Sequence, residues 1–197
     1  MKKKEDIAYY IDQVLGGNAN AFTRIVERHK DRAFNLALRI CCNREEAEEI
    51  TQDSFLKAYR ALNSFKRKSS FSTWLYRIVY NTAISYARIR KKEILSLEEF
   101  PADATDFIGT GISEEEAEAE FRKSLVDFAF QKISEEERSL VTMFYYEDMS
   151  IEEISDITAI SKPNVKVKLF RARQKMHQVI ETTLISKNIP YEYSSGF

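Results

Sequence analysis

Apolar residues recur along this chain at intervals of three and four. Ile7, Ile11, Val14 and Leu15 predict a short helix that Gly16, Gly17 and Asn18 bring to an end. A second helix is expected to begin near Asn20 and to continue through Ile40 with no proline or glycine, up to a turn at Asn43 and Arg44. Glu45 to Leu62 reads as a third, and its acidic start suits the positive end of a helix dipole. Beyond the polar run Lys66–Ser70, Ser72 or Thr73 is expected to cap a fourth helix reaching about Lys92. Helical periodicity resumes at Phe121–Lys132, and Ser134 with Glu137 has the spacing of a capping box before the stripe Leu140, Val141, Phe144 and Tyr145.

The last third carries the most definite pattern. A short helix capped by Ser150, a turn at Ala159–Ser161 and a longer helix from Lys162 to Val179 follow in succession. Pro163 lies in the first turn of the longer helix, where a missing N–H costs little. Ile151, Ile154, Ile160, Val165 and Leu169 form the expected inner set of a helix-turn-helix. The predicted fold class is therefore all-α: two small helical domains, the second containing the helix-turn-helix.

Charge divides the chain further. Net charge is only −1 over 197 residues, but residues 1–95 hold 19 basic and 11 acidic residues, residues 96–120 none and 9, and residues 121–197 11 of each. The middle stretch also carries Pro101, Gly109 and Gly111, and reads by composition as a flexible acidic linker. The expected division is 1–95, the linker 96–120, a second domain at 121–185 and an unassigned aromatic tail at 186–197. A hydrophobic fraction of 44% suffices for two small cores.

Other chemistries find little support. Cys41 and Cys42 are adjacent and not readily bridged, so they read as reduced thiols, and His29 and His177 stand apart from any metal-ligand cluster. No metal or other cofactor is expected. The N-terminal lysines precede Glu5 and Asp6 rather than an apolar run, so a cytoplasmic protein without membrane insertion is expected. No nucleophile–base arrangement or phosphate loop suggests an enzyme.

Two surfaces remain. Between Asp53 and Glu93 there is no acidic residue, and ten basic ones alternate with Phe65, Phe71, Trp74, Tyr76, Tyr80 and Tyr86. Cations that hold a backbone beside rings that stack on unpaired bases suit single-stranded nucleic acid. Part of this aromatic content also has the spacing of a core. Upstream, Glu49, Gln52 and Asp53 share one helix face, flanked by Ile50 and Phe55. In the helix-turn-helix, Lys162, Lys166, Lys168, Arg171, Arg173 and Lys175 precede any acid, so the second helix is expected to read a major groove from its N-terminal end.

Residues 47–60, 71–81 and 150–173 together resemble the sigma-70 family of bacterial RNA polymerase subunits, specifically the small extracytoplasmic-function group with only the second and fourth conserved regions. The resemblance covers about 20–92 and 121–180. It implies that Glu49, Gln52 and Asp53, with Phe55 beside them, contact core RNA polymerase. It implies that Phe65, Ser70, Phe71, Trp74, Arg77, Asn81 and Arg88 recognise and melt the minus-ten element of promoter DNA. Lys162, Asn164, Lys166, Lys168, Arg171 and Arg173 correspond to the minus-thirty-five reader. The group is commonly restrained by an anti-sigma factor, which makes such a protein an expected partner. The chain departs from the family where Ala159 replaces the usual turn glycine, and where Ser161–Asn164 replaces a small-residue segment. A free-standing helix-turn-helix regulator is the other reading, and it leaves the aromatic stretch without a use.

Overall fold

The computed structural model describes residues 7–96 and 114–186, with side chains described outside 91–117. Helix α1 (Ile7–Leu15) ends where the Gly16 and Gly17 N–H groups bond back to Asp12 and Val14, and Gly17 takes φ +98°. In α2 (Ala21–Cys41) the buried residues Ala21, Ile25, His29, Ala33, Leu36, Ala37 and Ile40 form one continuous stripe. Cys42 adopts a left-handed conformation, φ 55°, and closes the helix with a 2.7 Å bond to the Leu38 carbonyl.

Asn43 starts α3 (Arg44–Arg60) by accepting the Glu46 N–H at 3.0 Å. The inner face of α3 is built of small residues, Ala47, Thr51, Ser54 and Ala58 around Ile50 and Phe55, which lets α2 approach closely. The Thr51 and Ser54 hydroxyls donate at 2.6 Å to the Ala47 and Ile50 carbonyls, so their burial leaves no polar hydrogen unsatisfied. After a single 3-10 turn (Leu62–Ser64), α4 runs from Phe71 to Ser96. Its cap is Ser70, whose Oγ accepts the Thr73 N–H at 3.0 Å; the helix begins two or three residues earlier than a cap at Ser72 or Thr73 would allow.

The C-terminal half consists of α5 (Glu114–Gln131), α6 (Glu135–Val141) with a π-helical turn at Thr142–Tyr146, α7 (Ile151–Thr158) and α8 (Lys162–Ser186). Both expected capping residues, Ser134 and Ser150, make complete capping boxes with Glu137 and Glu153. Helix α5 begins seven residues before the expected restart at Phe121, and α4 passes Lys92, so both helices extend into the stretch assigned to the linker. The rest of that stretch, 97–113, and the tail from 187 lie outside the described residues.

The two cores expected from the sequence are joined. One buried cluster takes in Ile25, Ile40, Ile50, Leu75 and Val79 from the first half, and Leu140, Met143, Ile154, Val165 and Leu169 from the second. A smaller one, Leu125, Ala129, Ile180 and Leu184, seals α5 to α8. Continuity follows from α4, which packs on α2 and α3 with one face and on α7 and α6 with another.

Between α7 and α8, Ala159 adopts φ 59°, ψ 21°, the left-handed conformation that favours glycine. Ser155 donates to the Ile160 carbonyl at 2.7 Å and Thr158 Oγ1 accepts the Ile160 N–H at 3.3 Å, so the turn is held by side chains. Ala159→Gly is expected to stabilise the protein by ~0.5–1 kcal/mol by relieving the Cβ contact, read as a higher midpoint in thermal unfolding.

Candidate polymerase and nucleic-acid interfaces

On α3, the residues that do not face the core form a mixed surface. Glu49 and Gln52 are exposed and Asp53 is half-buried. Lys57 sits one turn on, 2.8 Å from the Asp53 carboxylate and 3.3 Å from Thr82 Oγ1, while Glu49 accepts a 3.2 Å hydrogen bond from the Tyr86 hydroxyl. These links to α4 fix the orientation of the acidic groups. Phe55 is not on this surface. It is 6% exposed and meets Phe22 edge-on at 6.5 Å, so it supports the helix from beneath. The apolar residue that does reach solvent there is Leu56, 46% exposed, with Tyr59 beyond it. Its signal in the sequence is a leucine four residues after Gln52, off the buried stripe.

The start of α4 gathers three of the singled-out aromatics. Phe65, Phe71 and Trp74 have ring centroids 5.2–5.5 Å apart, with Phe71 buried and Phe65 and Trp74 half-exposed. Phe71 rests in turn on the buried His29, 5.6 Å away. The preceding loop carries Lys66, Arg67 and Lys68; Arg67 is left-handed, φ 55°, and pairs with Asp12 of α1. Ser70 is committed to its cap. Trp74, Arg77, Asn81 and Arg88 follow at spacings of three, four and seven, one face of the helix, and the last three are exposed. Tyr76 and Tyr80 are buried, so the structural alternative holds for those two rings.

In α8 the basic residues fall into two sets. Lys168 and Lys175 reach Glu136 and Glu137 of α6, at 3.2 and 2.5 Å, and Lys162 pairs with Glu152 of α7. Burial works against ionisation of Glu137, but hydrogen bonds from Lys175 and Ser134 outweigh it and hold the carboxyl below its usual range. These three lysines are paired with acids of α6 and α7. Asn164, Lys166, Arg171 and Arg173 point outward, with the exposed Val167 and Phe170 among them; the Arg173 guanidinium lies 6.0 Å from the Phe170 ring. Sequence reasoning passed over Val167 and Phe170 because apolar residues on a helix read by default as core.

The Sigma-70 region 2 family matches residues 25–93 and the Sigma-70 region 4 family residues 124–176. Over 176 residues the chain is 32% identical to the ECF RNA polymerase sigma factor SigW of Bacillus subtilis, an alignment covering 85% of this chain and 93% of that protein. The chain belongs to the extracytoplasmic-function group of the sigma-70 family. Other similar relatives include the RNA polymerase sigma-H factor of Pseudomonas aeruginosa, 27% identical over 93% of this chain and 98% of that protein. The fold of this sigma factor is shared with CnrH, solved in complex with the cytosolic domain of CnrY (TM-score 0.62, 22% identity, 88% and 96% of the two chains). It is shared equally with the sigma factor RpoE of Bartonella quintana, solved with the anti-sigma factor NepR (TM-score 0.61, 19% identity, 81% and 96%). The region 2 match spans the α3 face and the aromatic cluster; the region 4 match spans the helix-turn-helix. No helix among the described residues is long and apolar enough to cross a membrane, and none of those residues group as a metal site.

Proposed function

We propose that this sigma factor is a dissociable specificity subunit that directs bacterial core RNA polymerase to promoters and helps open them, without itself catalysing a reaction. The exposed face Glu49, Gln52, Asp53 and Leu56 docks on the polymerase. Trp74 and Phe65, flanked by Arg77, Asn81 and Arg88, take the unpaired minus-ten strand, and Asn164, Lys166, Arg171 and Arg173 meet the minus-thirty-five duplex. Since the similar sigma factor RpoE was solved with the anti-sigma factor NepR, an anti-sigma factor is the further partner expected in a cytoplasmic setting.

The observation that carries this reading is the presence in one chain of a half-exposed aromatic cluster in a basic segment and a helix-turn-helix with an outward basic helix. A free-standing regulator needs only the second. Base stacking on an aromatic contributes on the order of 1–3 kcal/mol per base. Trp74→Ala is therefore expected to lower promoter opening by about ten-fold or more, scored by permanganate reactivity of minus-ten thymines, with binding to core polymerase retained. Trp74→Phe keeps a ring and should lose less. Unchanged opening in Trp74→Ala would remove this residue from the melting surface.

A further inference from the structure

Helix α8 carries an apolar side chain at a position where its own packing has no use for one. Val165, Leu169 and Ala172 are buried and mark the inner stripe of the helix. At about 100° of rotation per residue, Val167 falls almost directly opposite that stripe. It is 45% exposed and belongs to neither buried cluster. Asn164 precedes it by three residues and Arg171 follows it by four, so these three side chains share the outward face. Phe170 belongs to the neighbouring row, with Lys166 four residues before it and Arg173 three after. A β-branched residue at a solvated helix position is a poorer helix former than the lysines and arginines around it. Local stability therefore does not account for Val167.

We propose that Val167 is a specificity-determining residue of the minus-thirty-five reader and that it recognises the C5-methyl group of a thymine. The proposal rests on the sigma reading and deepens it, by naming the base edge that one position of the helix requires. In a helix-turn-helix the first turns of the second helix enter the major groove, and Val167 lies in the second turn of α8. That groove presents hydrogen-bonding groups at every base pair but a single kind of methyl group, that of thymine. An isopropyl group held against any other base edge strips water from a donor or acceptor and returns no hydrogen bond. Against a thymine methyl, both surfaces lose water without that cost. In a helix valine keeps essentially one rotamer, so its methyls are already placed and little freedom is lost on contact. The surrounding charge favours a duplex over an apolar protein groove. Lys166, Arg171 and Arg173 point outward around Val167, and phosphates pair with them where an apolar partner would leave them desolvated.

The test is filter binding of promoter fragments by the full chain assembled with core polymerase, with deoxyuridine replacing each minus-thirty-five thymine in turn on either strand. This exchange deletes the methyl and leaves every hydrogen-bonding group in place. Wild type is expected to lose about three- to five-fold in affinity at one position, the factor that corresponds to burying one methylene-sized group. Val167→Ala should lose a similar factor on the unmodified fragment and be indifferent to deoxyuridine at that position, so that the two changes together cost no more than either alone. Alanine is the better helix former, so a folding defect does not produce this pattern. A scan that is flat in wild type, a penalty that survives undiminished in Val167→Ala, or a minus-thirty-five element without an A·T pair overturns the proposal. If fragments are bound equally with and without core, it is the sigma reading that fails. The same scan on the duplex that the chain selects by itself then still decides whether Val167 reads a methyl.

Discussion

Replacing His29 by leucine is expected to remove much of the acid sensitivity of the fold. His29 is 6% exposed, its Nε2 has no hydrogen-bond partner, and it packs between Phe71 and Tyr76. Burial, and then the neighbouring Arg28 and Arg32, lower its pKa from 6.5 to about 4. The unfolded chain therefore takes up a proton near pH 6.5 that the folded chain refuses until about pH 4. The contribution is fully present above the unfolded value and is lost as pH falls through this window, on the order of 3 kcal/mol in all. For a chain of this size that corresponds to a fall in Tm of roughly 6–12 °C. Glu147 acts in the opposite sense: burial raises its pKa despite Arg32 and Arg39, so the folded state holds its proton more readily, and acid partly offsets the loss at His29. Thermal melts between pH 7.5 and 4.5 check the sum. A wild-type Tm that does not fall with pH, or a slope that survives in His29→Leu, contradicts the assignment.

Charge reversal on the outer face of α3 is expected to have the larger effect on function. In Glu49→Lys combined with Asp53→Lys, affinity for core RNA polymerase should fall by about 30-fold to several thousand-fold, the range for removing one partner of a desolvated charge pair. The cost to the fold is small. Asp53 loses an i,i+4 pair with Lys57, of about 0.3–0.5 kcal/mol, and Glu49 is exposed. Helicity should therefore match wild type while co-elution with core is lost; binding at wild-type strength would place the docking surface elsewhere.

Much of this organisation could be read from residue order alone. The helices, the capping box at Ser134, the cap at Ser150 and the inner set of the helix-turn-helix depend on contacts within a few residues, which local sequence spacing reports directly. What escaped depends on where distant elements meet. Phe55 and Leu56 are neighbours of like polarity, and only the position of α2 decides that the first is core and the second surface. Lys168 and Arg171 look equivalent in a basic run, yet Glu136, 32 residues before Lys168, draws that lysine into the domain. Arg138 could not be recognised as a link between domains, because its partner is a backbone carbonyl 98 residues away and a carbonyl leaves no trace in the sequence.

The most direct test of the central claim is run-off transcription from a library of bacterial promoter fragments, with purified core RNA polymerase and with or without this chain. The account predicts that adding the chain produces discrete transcripts from a subset of fragments sharing elements near minus ten and minus thirty-five, and that core alone produces none. If the chain binds duplex fragments but no start site depends on it, the account is contradicted and the helix-turn-helix serves a free-standing regulator.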